Sequence, residues 1–141
     1  MKFRFDSKIV QTILIVICVI LTLIMYTQRH KRDFYKEAAQ LPFYNVQPAD
    51  VQDGTYRGKA YTRFLHVQLD VTVSDHKLTK IEIIENEGSC GKKVAPIIDR
   101  MIEQNNSVVE AVEDEELASI VFVACVDDAL RKGLPDYKDN E

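Results

Sequence analysis

From Ile9 to Tyr26 the chain carries aliphatic side chains almost without a break, the polar exceptions being Gln11, Thr12, Thr22 and the weakly polar Cys18. At 1.5 Å per residue a helix over 9–28 spans roughly 30 Å, the hydrocarbon thickness of a bilayer. Lys8 precedes the run and Arg29, His30, Lys31 and Arg32 follow it, so charge stands where a membrane helix meets water. Met25-Tyr26-Thr27-Gln28 is too bulky for a signal cleavage site, and the pattern predicts an uncleaved, single-pass anchor in contact with the lipid bilayer. Lys2, Arg4 and Lys8 nearly balance Arg29, Lys31, Arg32 and Lys36, so charge alone leaves the orientation open.

Beyond the anchor the periodicity changes. Leu65, Val67, Leu69, Val71 and Val73 alternate with His66, Gln68, Asp70 and Thr72, the period of two that buries one face of a strand. Thr55 to Thr62 before it and Leu78 to Ile84 after it read as further strands, and the short connector Ser74-Asp75-His76-Lys77 favours antiparallel pairing. Val94, Ile97, Ile98, Met101 and Ile102 recur at helical spacing, with Pro96 tolerable in the first turn and Asn105-Asn106-Ser107 ending the helix. Leu117 to Leu130 has strand propensity at Ile120-Val121-Phe122-Val123 but helical spacing over its length; length decides for a helix, stopped at Gly133 and Pro135.

The expected fold is therefore α+β: an N-terminal transmembrane helix followed by a small antiparallel β-meander packed with two helices. Residues 1–8 form a short tail, 9–28 the membrane helix, 29–52 a basic collar and stalk, 53–133 the folded domain and 134–141 a loose tail. The stalk rests on Pro42 and Pro48 in a stretch, Glu37 to Gln52, without a clean period.

Residues 1–36 hold seven basic and two acidic side chains, so a total of −4 leaves −9 on the remaining 105 residues. Such an acidic domain repels phosphate backbones and argues against nucleic acid as a partner. Glu110 and the run Glu113-Asp114-Glu115-Glu116 concentrate part of this charge. The run lacks an Asp-x-Asp-x-Asp-Gly loop that would fix calcium geometry, which leaves a solvated, helix-capping acidic loop or a partner-docking surface.

Asp53-Gly54-Thr55-Tyr56-Arg57-Gly58, the strands to Ile84, Glu85-Asn86-Glu87-Gly88-Ser89-Cys90-Gly91-Lys92-Lys93 leading into Ile97-Ile98-Asp99-Arg100-Met101-Ile102, and Val126-Asp127-Asp128-Ala129-Leu130 follow one another in order. Over about 53–132 this succession resembles the small flavin mononucleotide (FMN)-binding domain of extracytoplasmic, membrane-attached electron-transfer proteins. The resemblance implies a domain displayed on the extracytoplasmic side of the cell membrane. It also implies FMN held noncovalently by Gly88, Gly91, Lys92 and Lys93, with Ser119 as a hydroxyl donor, relaying electrons within a membrane redox complex. Glycines that admit close approach, lysines and a helix beginning there suit an anion on physical grounds as well, although the same residues are ordinary turn chemistry.

The chain departs from the family at the Ser-Gly-Ala-Thr element that closes on the flavin phosphate, whose aligned positions are Glu113, Asp114, Glu115 and Glu116. Glu116 has no hydroxyl for covalent attachment, and four carboxylates repel a phosphate. Ala118 has likewise lost a hydroxyl. A second expectation follows, a degenerate fold without cofactor that docks a membrane partner through its acidic loop. His30, His66 and His76 form no cluster in the sequence, and no nucleophile elbow, phosphate loop or zinc spacing occurs, so neither a catalytic residue, a metal site nor an independent enzyme is expected. Cys90 and Cys125 could pair if the domain lies outside the cytoplasm, while Cys125 alone reads as a buried apolar residue.

Overall fold

The computed structural model describes residues 6–87 and 91–138. Its elements are helix α1 (Ser7–Ala39), a 3₁₀ turn (Pro48–Asp50), strands β1 (Gly54–Tyr61), β2 (His66–Ser74) and β3 (Lys77–Glu87), and helices α2 (Gly91–Val94), α3 (Pro96–Gln104) and α4 (Glu116–Lys132). The architecture is α+β, a long apolar N-terminal helix followed by a three-stranded antiparallel meander in the order β1-β2-β3 and two further helices, the first entered through the single turn α2. The chain divides into two compact units between Asp33 and Phe34.

In the first unit the large aliphatic side chains from Ile9 to Met25 are exposed, and the helix is long and apolar enough for a single membrane span or a signal. The hydroxyls inside the apolar run are satisfied on their own helix, Thr12 donating to the Lys8 carbonyl at 2.9 Å and Thr22 to that of Cys18 at 2.7 Å.

The second unit is built on the alternation of β2. Val67, Leu69, Val71 and Val73 are buried and meet Leu78 and Ile81 of β3, Ile97 and Met101 of α3, and Val121, Phe122, Cys125 and Ala129 of α4 in one core. Each such aliphatic side chain contributes about 1.5–3 kcal/mol through burial. The hairpin between β2 and β3 turns through Asp75 and His76 with φ of 52° and 58°, the double left-handed turn whose twist suits two-residue hairpins. Asn105 ends α3 at φ 49°, its amide on the Ile102 carbonyl and its side chain accepting the Leu78 amide at 2.8 Å.

Helix α4 lies very close to β1. A Cβ built on Gly58 would stand 1.9 Å from the Cys125 carbonyl oxygen and 2.9 Å from Cβ of Ala129, so only glycine fits at this crossing. From this position α4 also blunts the open edge of β1. Asp128 accepts the Lys59 amide at 3.0 Å, Lys132 donates to the Arg57 carbonyl at 2.6 Å, and the two side chains pair with each other at 3.1 Å.

Two expectations about boundaries change. Residues from Phe34 onward, read as collar and stalk, belong to the folded unit: Phe34, Ala38, Val46 and Val51 are buried, and the Phe34 and Phe64 rings lie 5.4 Å apart. The segment has no period because it crosses the fold as an irregular strap, held by specific polar contacts. The fully buried Asp127 of α4 accepts the amides of Tyr44 and, at 2.8 Å, Val46, and Asn45 between them takes φ 52°. Glu37 accepts the Arg63 amide at 2.7 Å. The tail likewise continues the fold as far as it is described, with Leu134 against the core and the Tyr137 ring 5.2 Å from the Arg131 guanidinium.

Gly58→Ala is expected to destabilise the domain by about 1–3 kcal/mol, the range for overpacking a filled site, in urea unfolding followed by circular dichroism. Asp127→Ala leaves two amides without an acceptor, and with about 1–3 kcal/mol lost per buried orphan the strap should become the first site of limited proteolysis, near Tyr44.

Candidate functional site

The residues singled out by the resemblance fall around the start of α4. Gly88 lies outside the described residues, and Gly91 and Lys92 form the first turn of α2. Lys93 is exposed, and its ammonium pairs with the carboxylate of Glu115 at 3.1 Å. Ser119 is buried one turn into α4. Its hydroxyl donates to the Glu115 carbonyl at 2.9 Å and accepts the Val112 amide at 3.0 Å, so both capacities are used within the chain. The structure thus brings Lys93 and Ser119 together through Glu115.

The loop before α4 owes its shape to a few contacts. Glu115 donates its amide to the Val112 carbonyl at 3.0 Å across Asp114, which takes φ 65°. Arg100 of α3 donates to the carbonyls of Glu110 at 3.0 Å and Ala111 at 3.2 Å, fixing the other end. Glu113, Asp114 and Glu116 remain exposed on this frame, and acidic groups there also meet the positive end of the α4 dipole.

Beside the acidic loop lies an apolar cleft of about 360 Å³, lined among others by Leu41, Phe43, Val109, Ile120 and Val123. Phe43, Val108 and Ile120 are exposed at its rim. Ser119 also lines it, but its single donor is committed to the Glu115 carbonyl. Hydrophobic periodicity could not reveal this cleft, since half of its wall comes from the strap and from the irregular stretch before α4.

Cys125 is a free, fully buried thiol on the Val67 carbonyl oxygen at 3.5 Å, while Cys90 lies outside the described residues. Burial, then the nearby Asp128 carboxylate, pushes its pKa up to about 12. The reading of Cys125 as a buried apolar residue is the one the fold realises. At pH 8 only about one thiol in ten thousand is then ionised, and Cys125 should resist alkylation by iodoacetamide in the native protein and react on unfolding, as read by mass spectrometry.

Ser119→Ala should destabilise the domain by about 1 kcal/mol through the lost bonds to residues 112 and 115, measured by urea unfolding. Comparison with family models, with curated proteins and with solved structures gives no match to this chain.

Proposed function

We propose that this protein is a membrane-tethered docking module, built on an architecture resembling the FMN-binding domain but without its cofactor. Its folded unit is displayed on the extracytoplasmic side. The observation that carries this reading is the Lys93–Glu115 pair: a carboxylate of the chain itself pairs with a lysine that the resemblance assigns to FMN. Ser119, the remaining hydroxyl of that site, is satisfied internally, and three further carboxylates crowd the same loop. A dianionic phosphate brought there would have to displace Glu115 against like charge.

The neighbouring cleft suits a different occupant. Apolar walls beside Glu113, Asp114 and Glu116 complement a partner segment that carries apolar side chains flanked by lysine or arginine, as in an amphipathic helix laid in a groove. The exposed apolar helix supports anchoring, which would confine such an encounter to the membrane surface.

Noncovalent FMN binding with electron relay is the second reading, favoured by one observation. Asp114 stands where the resemblance places glycine and adopts a left-handed φ of 65°, a conformation that glycine takes without strain.

The experiment is an FMN titration of the full chain in detergent micelles, read by flavin fluorescence, alongside Glu115→Gln and a Glu115→Ala, Glu116→Thr double variant. The docking reading expects no saturable quenching by the native chain. Saturable quenching by the native chain sinks it and establishes the flavoprotein reading. Protease digestion of the domain in intact cells is expected; protection would reverse the orientation.

A further inference from the structure

We propose that His66, Glu85 and Glu87 form a binding site for a zinc-type divalent transition-metal ion on the solvent face of the sheet, opposite the core. A ring nitrogen of His66 and one carboxylate oxygen from each glutamate lie within 4.8 Å of one another. Three tetrahedral donors at about 2.0–2.2 Å from one ion stand about 3.3–3.6 Å apart, so closure draws the donors together by up to about 1.5 Å, a change within the reach of side-chain rotation on this solvent face.

The backbone is irregular at the point that creates this set. The pairing of β2 with β3 runs His66↔Glu87, Val67↔Asn86 and Gln68↔Glu85, then jumps to Leu69↔Ile83, leaving Ile84 as the extra residue of a bulge. Without it, strict alternation from Ile81 and Ile83 would carry Glu85 and Glu87 to the core side. The bulge turns both carboxylates onto the face of His66. It also turns Asn86 toward the core beside Val67, where its side-chain oxygen is buried without a hydrogen-bond partner. A bulge that orphans one polar atom while gathering three metal-type donors is a local violation of the kind found at sites.

The surrounding charges agree. On the same face Asp70 is paired bidentately with Arg57, and Glu82 with Lys80. No lysine or arginine among the described residues pairs with Glu85 or Glu87, whose neighbour is the His66 ring, 3.9 Å from Glu87. The Tyr61 ring meets His66 edge-on, the ring centroids 5.3 Å apart. One nitrogen and two carboxylate oxygens suit zinc better than the all-oxygen shells of calcium or magnesium, and three protein donors leave a fourth position open to water or to a partner's side chain.

The test uses the full chain in detergent, stripped of metal, titrated with Zn²⁺ by calorimetry and with Co²⁺ by its visible absorption. One ion per chain is expected, with affinity reduced at least about tenfold in each of His66→Ala, Glu85→Gln and Glu87→Gln, and retained in a His30→Ala, His76→Ala double variant. His30, His66, Glu85 and Glu87 are exposed or half-exposed, and circular dichroism checks the fold of each variant. Absence of saturable binding overturns the proposal. So does binding that both His66→Ala and Glu87→Gln leave within about tenfold of the native chain.

Discussion

The folded unit depends on how closely α4 approaches β1. With no Cβ at Gly58, the helix backbone at Cys125 settles against the strand, and this proximity brings the consecutive residues Asp127 and Asp128 within reach of two different chain segments. Asp128 turns toward β1 and, with Lys132, closes an edge that would otherwise offer unpaired backbone groups. Asp127 turns the other way and holds the strap. A larger residue at 58 would lift the helix, and the strap and strand edge would both lose their acceptors.

The strap in turn makes the cleft. Because Asp127 fixes the backbone at Tyr44 and Val46, Leu41 and Phe43 are held against the stretch before α4, and an apolar hollow remains between them. The same stretch is tied down by Arg100 and by the Ser119 hydroxyl, so the acidic loop is a frame of hydrogen bonds carrying carboxylates outward. Electrostatically the loop completes itself: Glu115 turns back to Lys93 while its neighbours face solvent. Under the docking reading proposed above, the outward carboxylates are the groups that would meet a basic partner.

The two faces of the sheet carry different chemistry. One is a continuous apolar floor under α3 and α4. The other is a lattice of cross-strand polar pairs, Thr55 with Thr72, Arg57 with Asp70, and Tyr61 with both His66 and Gln68. The bulge at Ile84 interrupts this lattice and adds two carboxylates at one corner.

The sequence by itself determined the elements, because a helix or half-buried strand writes its period along the chain. The apolar run of α1, the alternation of β2 and the helical spacing of α3 and α4 were legible, and length rightly outweighed the strand propensity of Ile120 to Val123. Only the tertiary structure decided where the folded unit begins, since the strap is held by contacts such as Tyr44 to Asp127, 83 positions apart, which leave no period. It also decided that Lys93 meets Glu115, that Ser119 is spent internally, and that Glu85 and Glu87 share a face with His66. The physical reason is that partners are chosen by distance in space, and that a single bulge at Ile84 re-aims Glu85 and Glu87.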